Sequence, residues 1–304
     1  MEAISEIGQL EGHGDFVTTA AFSPDGRFIL SGSADRTMRL WEVATQHEIQ
    51  RFEDHVKNIV WGVSFSPTGR RILASCTDGS IHQWDLKSGE SLYLRGAHRG
   101  WIPRIAVSPQ GHLIATVGGF HDETLRLWNI RDFEEVRSLD LLSTDVAFSP
   151  DGQYLLTGGN PELLLLDVDT LSKQKTLKGH ELPNGDWAGS PCFAFSRDGR
   201  FILSGGKDGT IRLWAVESGE QLRCLQHSRE HGVLSVAFSP DGRTLLSGGG
   251  GKVHVWNREV GRIICSFDGD WATLSPDGVH ALSCSHTKNS LEDTFHLWRL
   301  TNSW

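Results

Sequence analysis

The chain has 304 residues, 38% of them hydrophobic, and no low-complexity tract, which is the composition of an ordinary globular protein. Its formal charge is −9, from 29 basic against 38 acidic residues with no basic block, and this argues against nucleic acid and anionic membranes as partners. No apolar run approaches the roughly 20 residues that span a bilayer, and Met1 to Leu10 carry charges where a secretory signal would carry an apolar stretch. Cys76, Cys192, Cys224, Cys265 and Cys284 are scattered through predicted strands without CxxC spacing. They read as buried, reduced thiols, which suits a cytoplasmic protein, and not as a disulfide or metal framework.

In chain order, a short apolar segment around Ile7-Gly8-Gln9-Leu10 leads to Gly12-His13, and an alternating strand then runs into Phe22-Ser23-Pro24-Asp25-Gly26. Ser-Pro-Asp-Gly is turn chemistry: proline presets φ at the second position and glycine accepts the positive φ that closes the turn. A second strand follows, ending in the small residues Ser31-Gly32-Ser33, then a turn with Asp35, then a third strand ending at Trp41, then a shorter fourth, Glu48 to Phe52. The pattern recurs. The turn serines are Ser23, Ser66, Ser108, Ser149, Ser196, Ser239 and Ser275, spaced 36 to 47 residues apart. The strand tryptophans are Trp41, Trp84, Trp128, Trp214, Trp256 and Trp298, with Leu166 in the corresponding place of the fourth unit. A period near 40 residues with several short strands per unit predicts a repeat array, and seven units of one kind predict a single body over residues 1–304.

Gly12-His13, the Ser-Pro-Asp-Gly turns, Ser31-Gly32-Ser33-Ala34-Asp35-Arg36-Thr37 and Leu40-Trp41 together resemble the WD-repeat (β-transducin-like) family. Gly179-His180, Ser204 to Thr210 and Leu213-Trp214 are a second strong match, and the resemblance covers roughly residues 6–300. Only Trp84-Asp85 spells the literal dipeptide. The resemblance implies an all-β, seven-bladed β-propeller of four-stranded antiparallel blades, with repeats over about residues 13–300. It also implies a ring closed by the N-terminal strand, residues 5–12, which matches Ile49 to His55 and is expected beside Phe295–Leu300 in the last blade. Closure would remove the unpaired edges of an open array.

The resemblance further assigns a buried hydrogen-bond relay to each blade. Blade one supplies His13, Ser31, Asp35 and Trp41; blade three, His98, Thr116, Asp122 and Trp128; blade five, His180, Ser204, Asp208 and Trp214. Blade two keeps His55, Asp78 and Trp84, with Ala74 where the hydroxyl belongs. A His, a Ser and an Asp at one place also spell a hydrolase. However, the set recurs with a packing tryptophan each time, whereas an active site is one unrepeated constellation. Blade four departs most, with Asn160 for the turn Asp and Leu166 for Trp, and is expected to be packed by its leucines alone. Blade six also lacks the Asp, its turn being Gly248 to Gly251. His227 and His231 are four apart, but Glu does not directly follow the first, as a zinc-protease helix requires, and they fall in a predicted loop. Gly248–Gly251 has no following Lys-Ser/Thr and opens a strand, so it is not a phosphate loop. No cofactor or metal site is expected.

Length variation concentrates in the segment after each His and in the Asp-containing turn. In the family both open on one face, and insertions gathered on one face point to a binding surface. Trp61, Trp101 and Trp187 stand outside the repeat register near that rim, and Phe16 and Ile59 occupy the register position of Trp101. Lys57, Arg99, Arg104, His121, Lys207 and Asp270 add polar and charged groups. Aromatic anchors beside arginines are typical of interaction hot spots. The sequence reading is therefore a non-catalytic scaffold, monomeric within a larger assembly, that binds a protein or peptide on the wider-looped face. The alternatives are an enzymatic or small-molecule-binding propeller using the channel mouth, and nucleic-acid binding, which would need a basic rim.

Overall fold

A computed structural model describes residues 4–53, 58–159, 162–181, 192–284 and 295–300. These residues form 28 strands, and the repeating element that starts each hairpin is the serine turn. In the first of them Gly26 sits at φ 71° and its N–H donates to the Ser23 carbonyl at 2.9 Å. The Ser23 hydroxyl donates to Asp25 at 2.6 Å and accepts the Phe28 N–H at 2.9 Å, while Asp25 also takes the Arg27 N–H at 3.0 Å. The same side-chain bonds form around Ser149–Asp151, Ser196–Asp198, Ser239–Asp241 and Ser275–Asp277. The turn thus satisfies its own backbone donors, which is why the sequence can repeat it without outside support.

By contact density the chain divides into two compact units. One comprises Gly12–Thr157 and Leu166–Ser172. Its blade one is β2 (Val17–Phe22), β3 (Phe28–Ser33), β4 (Met38–Glu42) and β5 (Glu48–Phe52). Blade two is β6 (Val60–Phe65), β7 (Arg71–Cys76), β8 (Ile81–Asp85) and β9 (Ser91–Leu94). Blade three is β10 (Arg104–Val107), β11 (Leu113–Val117), β12 (Thr124–Asn129) and β13 (Glu135–Asp140). Hydroxyls near the first strands join successive blades in this unit: Thr18 on β2 donates to the carbonyls of Gly32 and of Val60 on β6, and Ser75 on β7 donates to the carbonyl of Ile102, just before β10, at 3.1 Å. Between blades one and two the core is apolar, built from Leu30, Met38, Val60, Ile72 and Trp84.

Blade four is β14 (Asp145–Phe148), β15 (Tyr154–Gly159), β16 (Glu162–Asp167) and β17 (Lys173–Leu177). The remaining unit is Met1–Glu11, Gly158–Leu165 and Lys173–Trp304. Within it, blade five is β18 (Cys192–Phe195), β19 (Phe201–Gly205), β20 (Thr210–Ala215) and β21 (Gln221–Gln226). Blade six is β22 (Ser235–Phe238), β23 (Thr244–Gly249), β24 (Lys252–Asn257) and β25 (Arg262–Asp268). The last blade is β26 (Trp271–Leu274), β27 (His280–Cys284) and β28 (Phe295–Leu300), completed on its outer edge by β1 (Ile4–Leu10). The expected N-terminal pairing is therefore present, with Gly8 opposite Leu297 and Leu10 opposite Phe295, and a bulge between Glu6 and Gly8. Seven four-stranded antiparallel blades, with no helix among the described residues, make the fold an all-β, seven-bladed β-propeller.

The cysteine expectation holds only in part. Cys76, Cys192 and Cys284 are buried, but Cys265 is half-buried and Cys224 is exposed on β21. β21 is the outermost strand of its blade and most of its residues are exposed, which the residue type could not reveal.

Candidate functional site

The most deeply buried polar groups are the relays. In blade one the Trp41 indole N–H donates to the Ser31 hydroxyl at 2.8 Å, His13 Nε2 lies 2.7 Å from that hydroxyl, and His13 Nδ1 lies 2.8 Å from Asp35. Blade three repeats this with Trp128, Thr116, His98 and Asp122 at 2.8, 2.8 and 2.7 Å. In blade five Trp214 and His180 reach Ser204 at 2.8 Å each, and His180 Nδ1 is 3.1 Å from Asp208. Each relay ties the first residues of a blade to its second and third strands.

Burial would raise the Asp35 carboxyl pKa, but the His13 imidazole, the Thr37 hydroxyl and the Gly14 N–H outweigh it and hold the group well below the usual carboxylate range. Asp122 is likewise lowered, to about 2, with the Thr124 hydroxyl, the Arg99 N–H and His98 overcoming its burial. Burial lowers His13 and His98 below the ordinary histidine value despite these carboxylates. At neutral pH each pair is therefore a neutral imidazole donating from Nδ1 to an ionised aspartate, leaving Nε2 to accept from the hydroxyl.

The other blades solve the same satisfaction problem differently. His55 lies outside the described residues; Asp78 is held by the Ser80 hydroxyl at 2.5 Å and the Asn58 amide at 2.8 Å, and His82 stacks on Trp84 with ring centroids 5.6 Å apart. Blade four is not packed by leucines alone. Leu155, Leu156 and Leu163 are buried, but its Thr157 hydroxyl also reaches the Ser143 hydroxyl at 2.7 Å and the Asp145 carbonyl at 3.0 Å; Asn160 lies outside the described residues. In the last blade the Trp298 indole donates to the Ser283 hydroxyl at 2.8 Å, which donates to the Asp268 carbonyl at 2.8 Å. Blade six contains a relay that the sequence reading passed over. The Trp256 indole donates to the Ser247 hydroxyl at 2.8 Å, and His227 Nδ1 lies 2.8 Å from it. His227 is thus a buried structural imidazole and not part of an open loop. The available signal was position, since it stands 20 residues before Ser247, where His13 stands 18 before Ser31 and His180 stands 24 before Ser204.

A second constellation lies at the entry to the first strands of blades one to three. Phe16, Trp61, Trp101 and Phe120 form a continuous row, with successive centroids 6.4, 5.2 and 6.3 Å apart. Phe16 and Phe120, at its ends, are 38% and 49% exposed. Between them the indole nitrogens of Trp61 and Trp101 are buried with no hydrogen-bond acceptor among the described residues. The row is held from beneath by the backbone. The N–H groups of Ala34, Thr77 and Gly119 donate to the carbonyls of Phe16, Ile59 and Trp101 at 3.0, 3.1 and 2.8 Å, so these three residues do share one register position. Gly119 lies under the Trp101 ring, where a side chain would meet it at 2.9 Å.

The family model for the WD domain, G-beta repeat (WD40), matches residues 4–42, 46–85, 89–129, 138–161, 171–215 and 219–257, well over half of the chain. The chain belongs to the WD40 family. The first match spans β1 to β4, and each later one joins the outermost strand of one blade to inner strands of the next, so the repeats are offset by one strand from the blades; the last WD40 blade, β26–β28, is recognised by its pairing with β1. WD40 domains generally mediate protein interactions.

The remaining rim residues of this WD40 chain are spread out. Arg99 and His121 are exposed near Trp101 and Phe120. Arg104 is ion-paired at 3.2 Å to Asp145, whose carboxyl is pushed up by burial against the pull of that guanidinium. In the other unit Lys207 is exposed, and Asp270 accepts the Gly251 N–H at 2.6 Å, which ties down the glycine turn of blade six. Lys57 and Trp187 lie outside the described residues, as do most of the long segments at 181–187 and 285–293. Phe120, half-exposed at the end of the row, lies in the Asp-containing turn of blade three and was not among the expected rim residues. Among the described residues no group of three His, Cys, Asp or Glu side chains is placed to hold a metal ion.

Proposed function

We propose that this WD40 protein is a non-catalytic scaffold in a cytoplasmic assembly, and that it holds a protein or peptide partner against the row Phe16–Trp61–Trp101–Phe120. The observation that carries the reading is the continuity of that row across three blades with its two ends exposed. Two buried indole N–H groups without acceptors make it costly for stability alone, at about 1–3 kcal/mol each. Sites that break a packing rule are typically kept for contact with something else. A fixed aromatic surface reduces the ordering cost of association, and large rings supply most of the binding energy in such surfaces. The relays support the reading by a different route: repeated in several blades and buried, they hold the loops that carry the row and offer no single reactive constellation.

The test is affinity capture from lysate with wild type, Phe16→Ala/Phe120→Ala and a control, Asp151→Ala, in a serine turn. Phe16 and Phe120 are exposed enough that their truncation should leave melting unchanged. Loss of one partner from the aromatic variant alone supports the proposal. Equal recovery by all three proteins rejects the row as the contact surface.

A further inference from the structure

In blades one, three and five the relay imidazole faces an aspartate; in blade six both of its nitrogens face uncharged groups. His227 Nε2 lies 3.0 Å from the Gly249 carbonyl, which can only accept, so Nε2 carries the proton. Nδ1 is then the acceptor for Ser247, whose hydroxyl also receives the Trp256 N–H. The ring is used the other way round from His13, His98 and His180, which meet their hydroxyl through Nε2. Only the neutral imidazole gives every hydrogen of the set an acceptor. A proton on Nδ1 would point at a hydroxyl already holding one N–H, leaving the Ser247 hydrogen without its acceptor.

Among the described residues the surroundings provide no counter-ion. On β24, the tilted ring of His254 lies at a centroid distance of 4.7 Å, and the Lys252 ammonium is paired with Asp268 on β25 at 2.5 Å. Behind the Gly209 turn Asp208 is held by His180 and Arg212, and Asp270 is held by the Gly251 N–H. The loop that follows, with Glu230 and His231, is exposed. None of these carboxylates acts on His227: burial lowers its pKa and only the Gly249 carbonyl opposes that. A proton reaching His13 or His98 takes the acceptor from its hydroxyl in the same way but lands on a ring bonded to an ionised aspartate; one reaching His227 is an unpaired buried charge.

We propose that His227 is a proton-operated latch, and that its protonation releases Ser247 and Trp256 and loosens the seam between blades five and six. Trp256 packs there against Cys192, Leu203, Ile211, Val233 and Leu245, so its release reaches both blades. His254 is the neighbouring ring: burial lowers its pKa and a charge on His227 lowers it further, so the two rings do not charge together.

The test is hydrogen exchange by mass spectrometry on the intact protein from pH 7.5 to 5, with labelling times scaled for intrinsic exchange. In wild type, β23 and β24 should lose at least tenfold protection on acidification while β3, β4, β11 and β12 keep theirs. His254→Gln, which removes the neighbouring titratable ring and leaves the Ser247 bond to His227, should keep the acid-dependent loss. His227→Asn, whose amide oxygen still accepts from Ser247 but does not titrate, should show no acid-dependent loss. Retained protection of blade six at pH 5, equal loss in all blades, or a loss that His254→Gln abolishes overturns the latch. Should His227→Asn fail to fold, the contrast between blades in wild type and in His254→Gln decides alone.

Discussion

Replacing Ser204 by alanine tests the relay at its centre. The hydroxyl is fully buried, accepts the Trp214 indole N–H at 2.8 Å and bonds His180 Nε2 at 2.8 Å. Ser204→Ala removes one oxygen and opens almost no cavity, so the packing cost is small. It leaves an indole N–H on a tryptophan that is 2% exposed, and an imidazole lone pair, both without partners. A buried donor left unmade costs about 1–3 kcal/mol, and the neutral acceptor sits toward the low end of that range. The expected loss is therefore about 2–4 kcal/mol, a large share of the roughly 5–15 kcal/mol that stabilises a typical domain. Urea unfolding at pH 7.4, with the slope compared between proteins, measures it. Trp214→Phe supplies the decisive comparison, because phenylalanine has no N–H to orphan. In the Ser204→Ala background it should cost at least about 1 kcal/mol less than in wild type, whereas independent sites add within about 0.5 kcal/mol. A loss below about 0.5 kcal/mol, or simple additivity, would refute the relay as a source of stability.

Deleting residues 1–11 strips β1 from β28 and exposes an edge of the last blade, so a lower Tm and concentration-dependent association in light scattering are expected; unchanged melting would refute the pairing. Gly209 has φ +70° and a Cβ there would overlap the Ser228 carbonyl, whereas Gly251, at φ +78°, has open space around it. Gly209→Ala should cost clearly more than the roughly 1–2 kcal/mol of backbone strain expected for Gly251→Ala, as read by thermal unfolding. The Asp122 carboxyl, lowered to about 2, contributes stability that is complete above the unfolded value near 4 and is lost as pH falls from there through 2. Its share is on the order of 2 kcal/mol, and Asp122→Asn should flatten that part of the stability–pH curve.

The sequence by itself determined the blades. Strand alternation and serine turns act over a few residues, and every turn bond between Ser23, Asp25 and Phe28 is made within the segment that encodes it. The relays of blades one, three and five were legible too, because their four residue types recur at matching places. What the tertiary structure decided is which side chains from different repeats meet. Phe16, Trp61, Trp101 and Phe120 are far apart in the chain and become a row only because the first strands of blades one to three lie side by side. Arg104, read as a rim cation, is neutralised by Asp145 of the next blade. His227 was weighed only as a metal ligand, and its place in a relay escaped notice because its turn is one residue shorter. Ser247 precedes Trp256 by 9 residues where Ser204 precedes Trp214 by 10, and the imidazole meets the hydroxyl through its other nitrogen. Local propensity fixes the hairpins; the partners of a buried polar atom depend on how neighbouring blades close over it.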